Sequence, residues 1–419
     1  MVPPSVLSRW TRNLSSTRAC RNEVFHLLST GKMDDDGRHT KWETAVVREL
    51  QAKSVLIKRK RFDSWFMSRY GMNLYRGCTH DCVYCDGRAE SYYVDCDFGR
   101  DVQIKVNADE VLARELDVRR RRTPLKRSFF LLGGGVGDSY QPLEETYGLT
   151  RRVLHLLAHL ELPVHVLTKS SLVERDVDLL QKINRRSRVV VSMSFSGVDD
   201  ETAQQFEPHA SPPSERLATL RRLREAGIAT GVFLMPVIPF ITDTLPAMDA
   251  MLRQAKRAGV RFVIFSGMTL KEGRQKEYFL SRLREVRPEL ELEYANIYPG
   301  NKWGAATFEY YTAITEEFNL AAKKLEMPRR MPASLFADVL DENDRVVAFL
   351  ENLDYMLTAE GRQSTYRGAA RSVAQLTEPI AGYRNRLREL RGVGPTTARL
   401  IREILDTGGC RYHDSLVGR

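Results

Sequence analysis

Three cysteines fall within eight residues, in the run Asn73-Leu-Tyr-Arg-Gly-Cys78-Thr-His-Asp-Cys82-Val-Tyr-Cys85-Asp-Gly. Thiolates spaced as Cys-x3-Cys-x2-Cys on one tight loop can wrap a cubic iron–sulfur cluster, which ordinarily takes four cysteine ligands. With only three local ligands, one iron is left open to an exogenous chelator. The competing chemistry is a zinc site with His80 or Cys96 as fourth ligand. Zinc, however, favours paired Cys-x-x-Cys or Cys/His knuckles that close a tetrahedron. Six cysteines in 419 residues are too few for a disulfide framework. Half of them clustered in one loop implies metal binding or redox catalysis in a reducing compartment, taken here as the cytoplasm.

A loop of this kind has to be held by rigid elements. Short apolar runs rich in Val, Ile, Phe and Leu predict strands at Met72–Arg76, Ser128–Leu132, Val164–Thr168, Arg188–Ser194, Thr230–Pro236 and Val260–Ser266. Segments with helical spacing lie between them. Glu144–Leu160 has one stripe of Leu149, Val153, Leu156, Leu157 and Leu160. Ser214–Ala226 turns Leu217, Leu220 and Leu223 inward, places Arg216, Arg221, Arg222 and Arg224 elsewhere, and stops at Gly227. Repeated strand–helix units imply parallel strands with right-handed crossovers, hence an α/β fold built as a partial (β/α)6 barrel. Reacting groups then gather on the loops after the strands.

From Ser54 to about Pro299 the chain resembles the radical S-adenosylmethionine (SAM) family that includes spore photoproduct lyase and its DNA-repair-photolyase-like relatives. The matching pieces come in order: the cysteine run, Gly137-Asp-Ser-Tyr-Gln-Pro-Leu-Glu144, Thr168-Lys-Ser170 with Arg175-Asp176, and Ser192-Met-Ser194. Glu207-Pro208, Glu215-Arg-Leu217, Ala226-Gly227 and Pro236-Val-Ile-Pro239 ahead of Asp243 complete the set. The resemblance implies a [4Fe-4S] cluster on Cys78, Cys82 and Cys85, with SAM on its open iron. It also implies an electron donor such as a flavodoxin or ferredoxin. Tyr84 stands where the superfamily sets an aromatic ring against adenine. Gly133, Gly134 and Gly135 allow close backbone approach and offer amide and carbonyl groups to the SAM amino group. Asp138 is a candidate to orient that region, and Lys169 carries a point charge suited to the SAM carboxylate or ribose. By the same resemblance Ser192, Ser194 and Arg216 are ribose or carboxylate contacts, although an Arg216–Glu207 pair that pins a loop explains those two residues as well. The lyase returns hydrogen from a cysteine well past its cluster. This chain has none between Cys96 and Cys410, so Cys96 is the candidate hydrogen donor that remains.

After about Pro299 the pattern turns all-helical, with a break at Pro328, Arg329, Arg330 and Pro332. The run Leu387-Arg-Glu-Leu-Arg391-Gly-Val-Gly394-Pro-Thr-Thr-Ala398-Arg-Leu-Ile401 has a helix–hairpin–helix pattern. Gly392 and Gly394 let the backbone turn and approach a phosphate. The amides from Gly394 through Thr396 to Thr397 open a helix and form an anion site, with Arg391, Arg399 and Arg402 adding charge. Such contacts hold the phosphate backbone and leave the bases unread. Glu342 to Gly408 resembles the N-terminal helical domain of family X DNA polymerases. Some members carry a Schiff-base lysine there, which is Leu400 in this chain, so binding without strand cleavage is expected.

Of the net charge of +10, residues 361–419 supply +6, from 11 Arg against 5 Asp and Glu. A segment this basic fits a polyanion partner. No membrane association is expected: the longest apolar stretch, Gly231–Ile241, is too short to span a bilayer and contains Pro236 and Pro239. The first 22 residues carry four Arg and no acid, which reads as a transit peptide or as translation called too early, with Met33 the true start. The expected layout is therefore an extension at 1–40, a radical SAM partial barrel at 41–325, and a small all-α helix–hairpin–helix domain at 341–416. The expected substrate is a nucleic acid, with lesion-bearing DNA favoured. The alternative is radical modification of RNA or protein, with the helical domain as a docking module.

Overall fold

The computed structural model describes residues 25–28, 45–92, 98–120 and 123–417. Eleven strands occur among them: β1 (Phe25–Leu28), β2 (Ala45–Leu50), β3 (Leu56–Asp63), β4 (Ser68–Met72), β5 (Tyr75–Arg76), β6 (Asp101–Lys105), β7 (Phe129–Leu132), β8 (Val164–Thr168), β9 (Val189–Phe195), β10 (Ala229–Val237) and β11 (Val263–Gly267). The main sheet has the order β11-β10-β9-β8-β7-β4-β3. Its members from β4 to β11 run parallel, and β3 pairs antiparallel on the edge beyond β4. Six parallel strands make the expected partial barrel. A smaller sheet, β1-β2-β6-β5, lies beside it. Within the first 40 residues, set aside as an extension, only β1 is described, antiparallel to β2.

Side-chain alternation along the parallel strands separates two faces. Outward residues such as Phe130, Leu132, Val164, Val166, Val189 and Val191 pack under the helices Leu149–His159 and Val177–Arg186. Inward residues Phe129, Leu131, Val190, Phe233 and Ile264 fill the barrel together with Phe62, Phe66 and Met67 of the β3–β4 hairpin. Phe66 stacks on Phe233 at 5.1 Å and 3°. Each such fully buried ring is worth roughly 1.5–3 kcal/mol in removal from water.

Two expected elements are corrected. The predicted strand Met72–Arg76 is two strands in different sheets: β4 ends at Met72, and β5 pairs with β6. The parallel core strand is Ser68–Met72, whose Ser68 is buried because its hydroxyl donates to the carbonyl of Phe129 at 2.9 Å. The predicted helix Glu144–Leu160 is broken at Gly148, left-handed at φ 58°, into Glu144–Tyr147 and Leu149–His159. In the helix Pro213–Glu225, Arg216 is fully buried, whereas the sequence pattern had set it apart from the inward residues.

The C-terminal helices pack against the barrel. Met331, Leu335, Phe336, Phe349 and Leu353 join the same hydrophobic cluster as the barrel interior. Arg69 forks onto Asp344, Arg188 pairs with Asp338 at 2.6 Å, and the Val263 amide donates to the Pro328 carbonyl at 2.8 Å. Arg69, Arg188 and Val263 lie at or just before the N-terminal ends of β4, β9 and β11. The helical region therefore closes the end of the barrel opposite the loops that follow the strands.

Candidate functional site

The cysteine loop leaves β5 through Gly77, at φ 95°, where a Cβ would meet the Asp101 carbonyl at 2.5 Å. Gln141 then clamps the loop: its Oε1 accepts from the Thr79 amide at 2.9 Å, and its Nε2 donates to the Gly77 carbonyl at 3.3 Å. On the far side Arg88, buried, donates to the carbonyls of Cys82 at 3.1 Å and Phe98 at 2.8 Å and pairs with Asp81. Cys78 and Cys82 are buried and Cys85 is half-buried; the Cys85 Sγ accepts from the Gly87 amide at 3.4 Å. All three thiols sit above their ordinary range, through burial first. For Cys78, the Asp138 carboxylate and the two neighbouring thiols add to that effect. Three thiolates on one buried loop would need a compensating positive centre, and an iron–sulfur cluster is one.

The zinc alternative finds no fourth ligand in His80. Its Nε2 lies 3.2 Å from Asp138 and its Nδ1 2.9 Å from the His209 carbonyl, so both ring nitrogens are engaged. Among the described residues no group of three or more Cys, His, Asp and Glu side chains, the three cysteines included, has the arrangement of a preformed ion site. Cys96 lies outside the described residues.

Asp138 ties this loop to the barrel. It accepts from Thr168 Oγ1 at 2.8 Å and from the amides of Tyr140 and Lys169, both at 2.8 Å, while it holds the His80 ring. Burial alone would push its carboxyl up; His80 and the two amides hold it below the ordinary value. Beside it, Gly133 and Gly134 are left-handed, at φ 84° and 75°. A Cβ on Gly133 would strike the Leu167 carbonyl at 2.0 Å, whereas one on Gly135 meets nothing within 4 Å. Gly133, Gly135 and Asp138 line a cleft with Asn73, whose Oδ1 is buried without a hydrogen-bond partner. An unpaired buried acceptor and a glycine facing open space fit a polar cosubstrate in this cleft, which Tyr75 and Gly137 carry to the start of the cysteine loop.

A second hub is Glu207, which was part of the sequence pattern but not among the expected cofactor contacts. Tyr84 donates to its Oε1, Lys169 Nζ lies 3.0 Å from the same oxygen, and Arg216 pairs with its Oε2. Lys169 also sits 5.5 Å from the centroid of the Tyr84 ring. Burial would raise the Glu207 carboxyl, but Arg216 and Lys169 outweigh it and hold the group far below the carboxylate range. Ser192 and Ser194 face inward on β9 as the alternation requires. The Ser192 hydroxyl meets His165 Nε2 at 2.9 Å, and the Ser194 hydroxyl donates to the Met235 carbonyl at 2.9 Å. Both serines thus have partners inside the barrel.

The hairpin lies in the helical region. Gly392, at φ 82°, turns tightly against Gly368 and Ala369, with a Cβ 3.0 Å from the Ala369 amide nitrogen. Gly394 caps the helix Pro395–Thr407 in ordinary extended backbone, and a Cβ there meets nothing within 4 Å. Neither its conformation nor its neighbours demand glycine, which serves here as a helix cap and leaves the backbone amides that follow it open to approach from outside. Thr396, Arg391 and Arg399 are exposed and Arg402 is half-buried; the three arginines enter no ion pair among the described residues. Nearby Arg384 and Arg411, by contrast, are paired with Asp406 and Glu403. Leu400 is buried beneath a depression shared with Tyr366, Thr396 and Arg399.

Residues 72–250 match the model of the radical SAM superfamily, and residues 331–410 match a helix-hairpin-helix domain. An uncharacterized protein of Mycobacterium tuberculosis is 34% identical over 234 residues, which are 55% of this chain and 67% of the relative. An uncharacterized protein of Methanocaldococcus jannaschii is 26% identical over 51% of this chain and 76% of its own length. Among solved structures, spore photoproduct lyase complexed with dinucleoside spore photoproduct aligns with a TM-score of 0.48 at 16% identity, covering 66% of this chain and 79% of that one. No described helix is long and apolar enough to cross a membrane. By its match to the superfamily model and its kinship with these relatives, the chain belongs to the radical SAM superfamily of enzymes and carries a helix-hairpin-helix domain.

Proposed function

We propose that Cys78, Cys82 and Cys85 hold a [4Fe-4S] cluster and that the adjoining cleft takes SAM, for reaction on a nucleic acid, lesion-bearing DNA above all. When bound, the pair supplies one-electron reduction and a carbon radical that abstracts hydrogen from the substrate. The chain's own task is placement. Gly135 and Asn73 offer the open backbone and the free acceptor of the cleft, and Asp138 fixes the Thr168–Lys169 end of β8 against the cysteine loop. Tyr84 and Lys169 face the cosubstrate from the Glu207 side. Arg216, fully buried on Glu207, acts through that carboxylate as a positioning residue. Ser192 and Ser194 brace the strand beneath. With Cys96 outside the described residues and Cys410 buried in the helical region, Cys96 stays the proposed hydrogen donor. A flavodoxin or ferredoxin serves as electron donor, and the cytoplasm is the proposed compartment.

The observation that carries the nucleic-acid reading is the hairpin, where Arg391, Arg399 and Arg402, without carboxylate partners among the described residues, lie on or next to a helix that starts at the open side of Gly394. Phosphates are the natural occupants of such a helix start. The test is anoxic reconstitution with dithionite and SAM in the presence of irradiated or chemically modified oligonucleotides. The expected result is 5′-deoxyadenosine and a changed nucleotide. A fully clustered protein that yields no 5′-deoxyadenosine with any DNA or RNA overturns the proposal. A preference for RNA over DNA of matched length would move the substrate to RNA, since 2′-hydroxyl contacts tell the two apart.

A further inference from the structure

Among the described residues, five Phe, Tyr and Trp side chains are exposed: Tyr92, Tyr278, Trp303, Phe308 and Tyr311. Four of the five lie between Tyr278 and Tyr311. Tyr92 ends the cysteine loop, and the other four lie on the segments that follow β11, the edge strand on the open side of the barrel. Three have a cation against the ring: Arg88 at 3.6 Å from the Tyr278 centroid, Lys302 at 5.2 Å from Trp303, and Lys271 at 5.5 Å from Tyr92.

Trp303, 69% exposed, is presented by a stiff loop. Asn301 Oδ1 accepts from the amides of Trp303 at 3.0 Å and Ala305 at 3.1 Å, while its Nδ2 donates to the Ala305 carbonyl at 2.7 Å. Gly304, at φ 65°, docks flat on Leu270, where a Cβ would stand 2.5 Å from backbone; its carbonyl accepts from the Leu270 amide at 2.7 Å. Leu270 adjoins Thr269 and Lys271, both bound to Asp86, the residue after Cys85. The loop is thus fastened to the rim of the cysteine site, with its largest ring left in solvent. Lys302 enters no ion pair among the described residues.

An indole left in solvent on a hydrogen-bonded loop, with Lys302 against its ring, presents an aromatic face and a positive charge together. We infer that this rim is a stacking platform for unpaired nucleotides, with Trp303 as the principal base contact and Lys302 on the adjoining phosphate. Aromatic faces accept any base, and neighbouring cations track the backbone, which is the chemistry of single-strand binding. The inference rests on the nucleic-acid reading above and deepens it. The hairpin grips backbone from the helical region, while the rim holds unstacked bases beside the cluster.

The full-length, cluster-loaded protein is tested with a fluorescein-labelled 12-nucleotide single strand and the matching duplex. Trp303→Ala should weaken the single strand about tenfold, with its salt dependence unchanged, and Trp303→Tyr should restore most of that loss. Duplex affinity should hold, and an unchanged melting temperature would confirm an intact fold. Wild-type affinity of Trp303→Ala for the single strand, or an equal loss on both probes, overturns the platform while the nucleic-acid reading stands. A wild-type protein that binds neither probe overturns both.

Discussion

The barrel mouth and the hairpin are built in opposite ways. At the mouth almost every polar group is already satisfied by another from far along the chain: Asp138 by His80 and Thr168, Glu207 by Tyr84, Lys169 and Arg216. At the hairpin the polar groups are left open, as the unpaired Arg391, Arg399 and Arg402 and the open side of Gly394 show. A site that must place a reactive cosubstrate spends its charges on holding its own geometry. A site that only grips phosphate keeps its charges for the ligand. The hairpin shares one hydrophobic core with the barrel interior, from which Cys78, Cys82 and Tyr84 at the mouth stand apart.

The largest expected effect breaks the mouth alone. Cys82→Ala should abolish reductive cleavage of SAM, measured as 5′-deoxyadenosine under anoxia, while nucleic-acid affinity stays within about twofold. A parallel loss of binding would mean that the barrel interior couples the two sites. Next comes Glu207→Gln, which leaves Arg216 and Lys169 facing a neutral amide in a buried setting. Removing one partner of a buried pair costs roughly 3–5 kcal/mol, so chemical denaturation should register a loss of that order. Glu207→Asp should recover only part of it, because the shorter side chain cannot reach both cations.

A third test concerns the barrel just below the mouth. Burial lowers His165 to about 4, against the small opposing effect of the Phe66 carbonyl. The unfolded chain takes up the proton first, near pH 6.5, so His165 contributes fully above that value and its contribution is lost as pH falls towards 4. The loss is on the order of 3 kcal/mol. His165→Gln should flatten that stretch of the stability–pH curve; an unchanged slope would place the acid sensitivity elsewhere. The smallest effect belongs to the hairpin. Gly394→Val should weaken nucleic-acid binding about tenfold by occupying the open side, with a stability loss no larger than that of a poorer helix cap, about 1 kcal/mol, since a Cβ there meets no other part of the protein within 4 Å. A larger loss would show that the glycine serves packing after all.

Local patterns are what the amino-acid order determined. The cysteine spacing, the buried strands β8 to β11 and the hairpin each depend on residues within a short stretch, and their periodicity or turn chemistry can be read there directly. Val164–Thr168 was legible to the residue. Ser68–Met72 was not, because Ser68 and Arg69 look like loop residues until the Phe129 carbonyl and Asp344 are placed beside them. The division of Met72–Arg76 between two sheets likewise depended on β6, some thirty residues on. The role of Glu207 as a hub, and the burial of Arg216 on a helix whose leucines suggested another inward face, arise from charge pairing across loops. Only the tertiary structure decided that the helices close the barrel end away from the cysteines, and that the Trp303 loop is fastened beside Asp86 with its ring left in solvent. Both depend on which surfaces meet after folding, and a one-dimensional pattern carries no record of such meetings between distant segments.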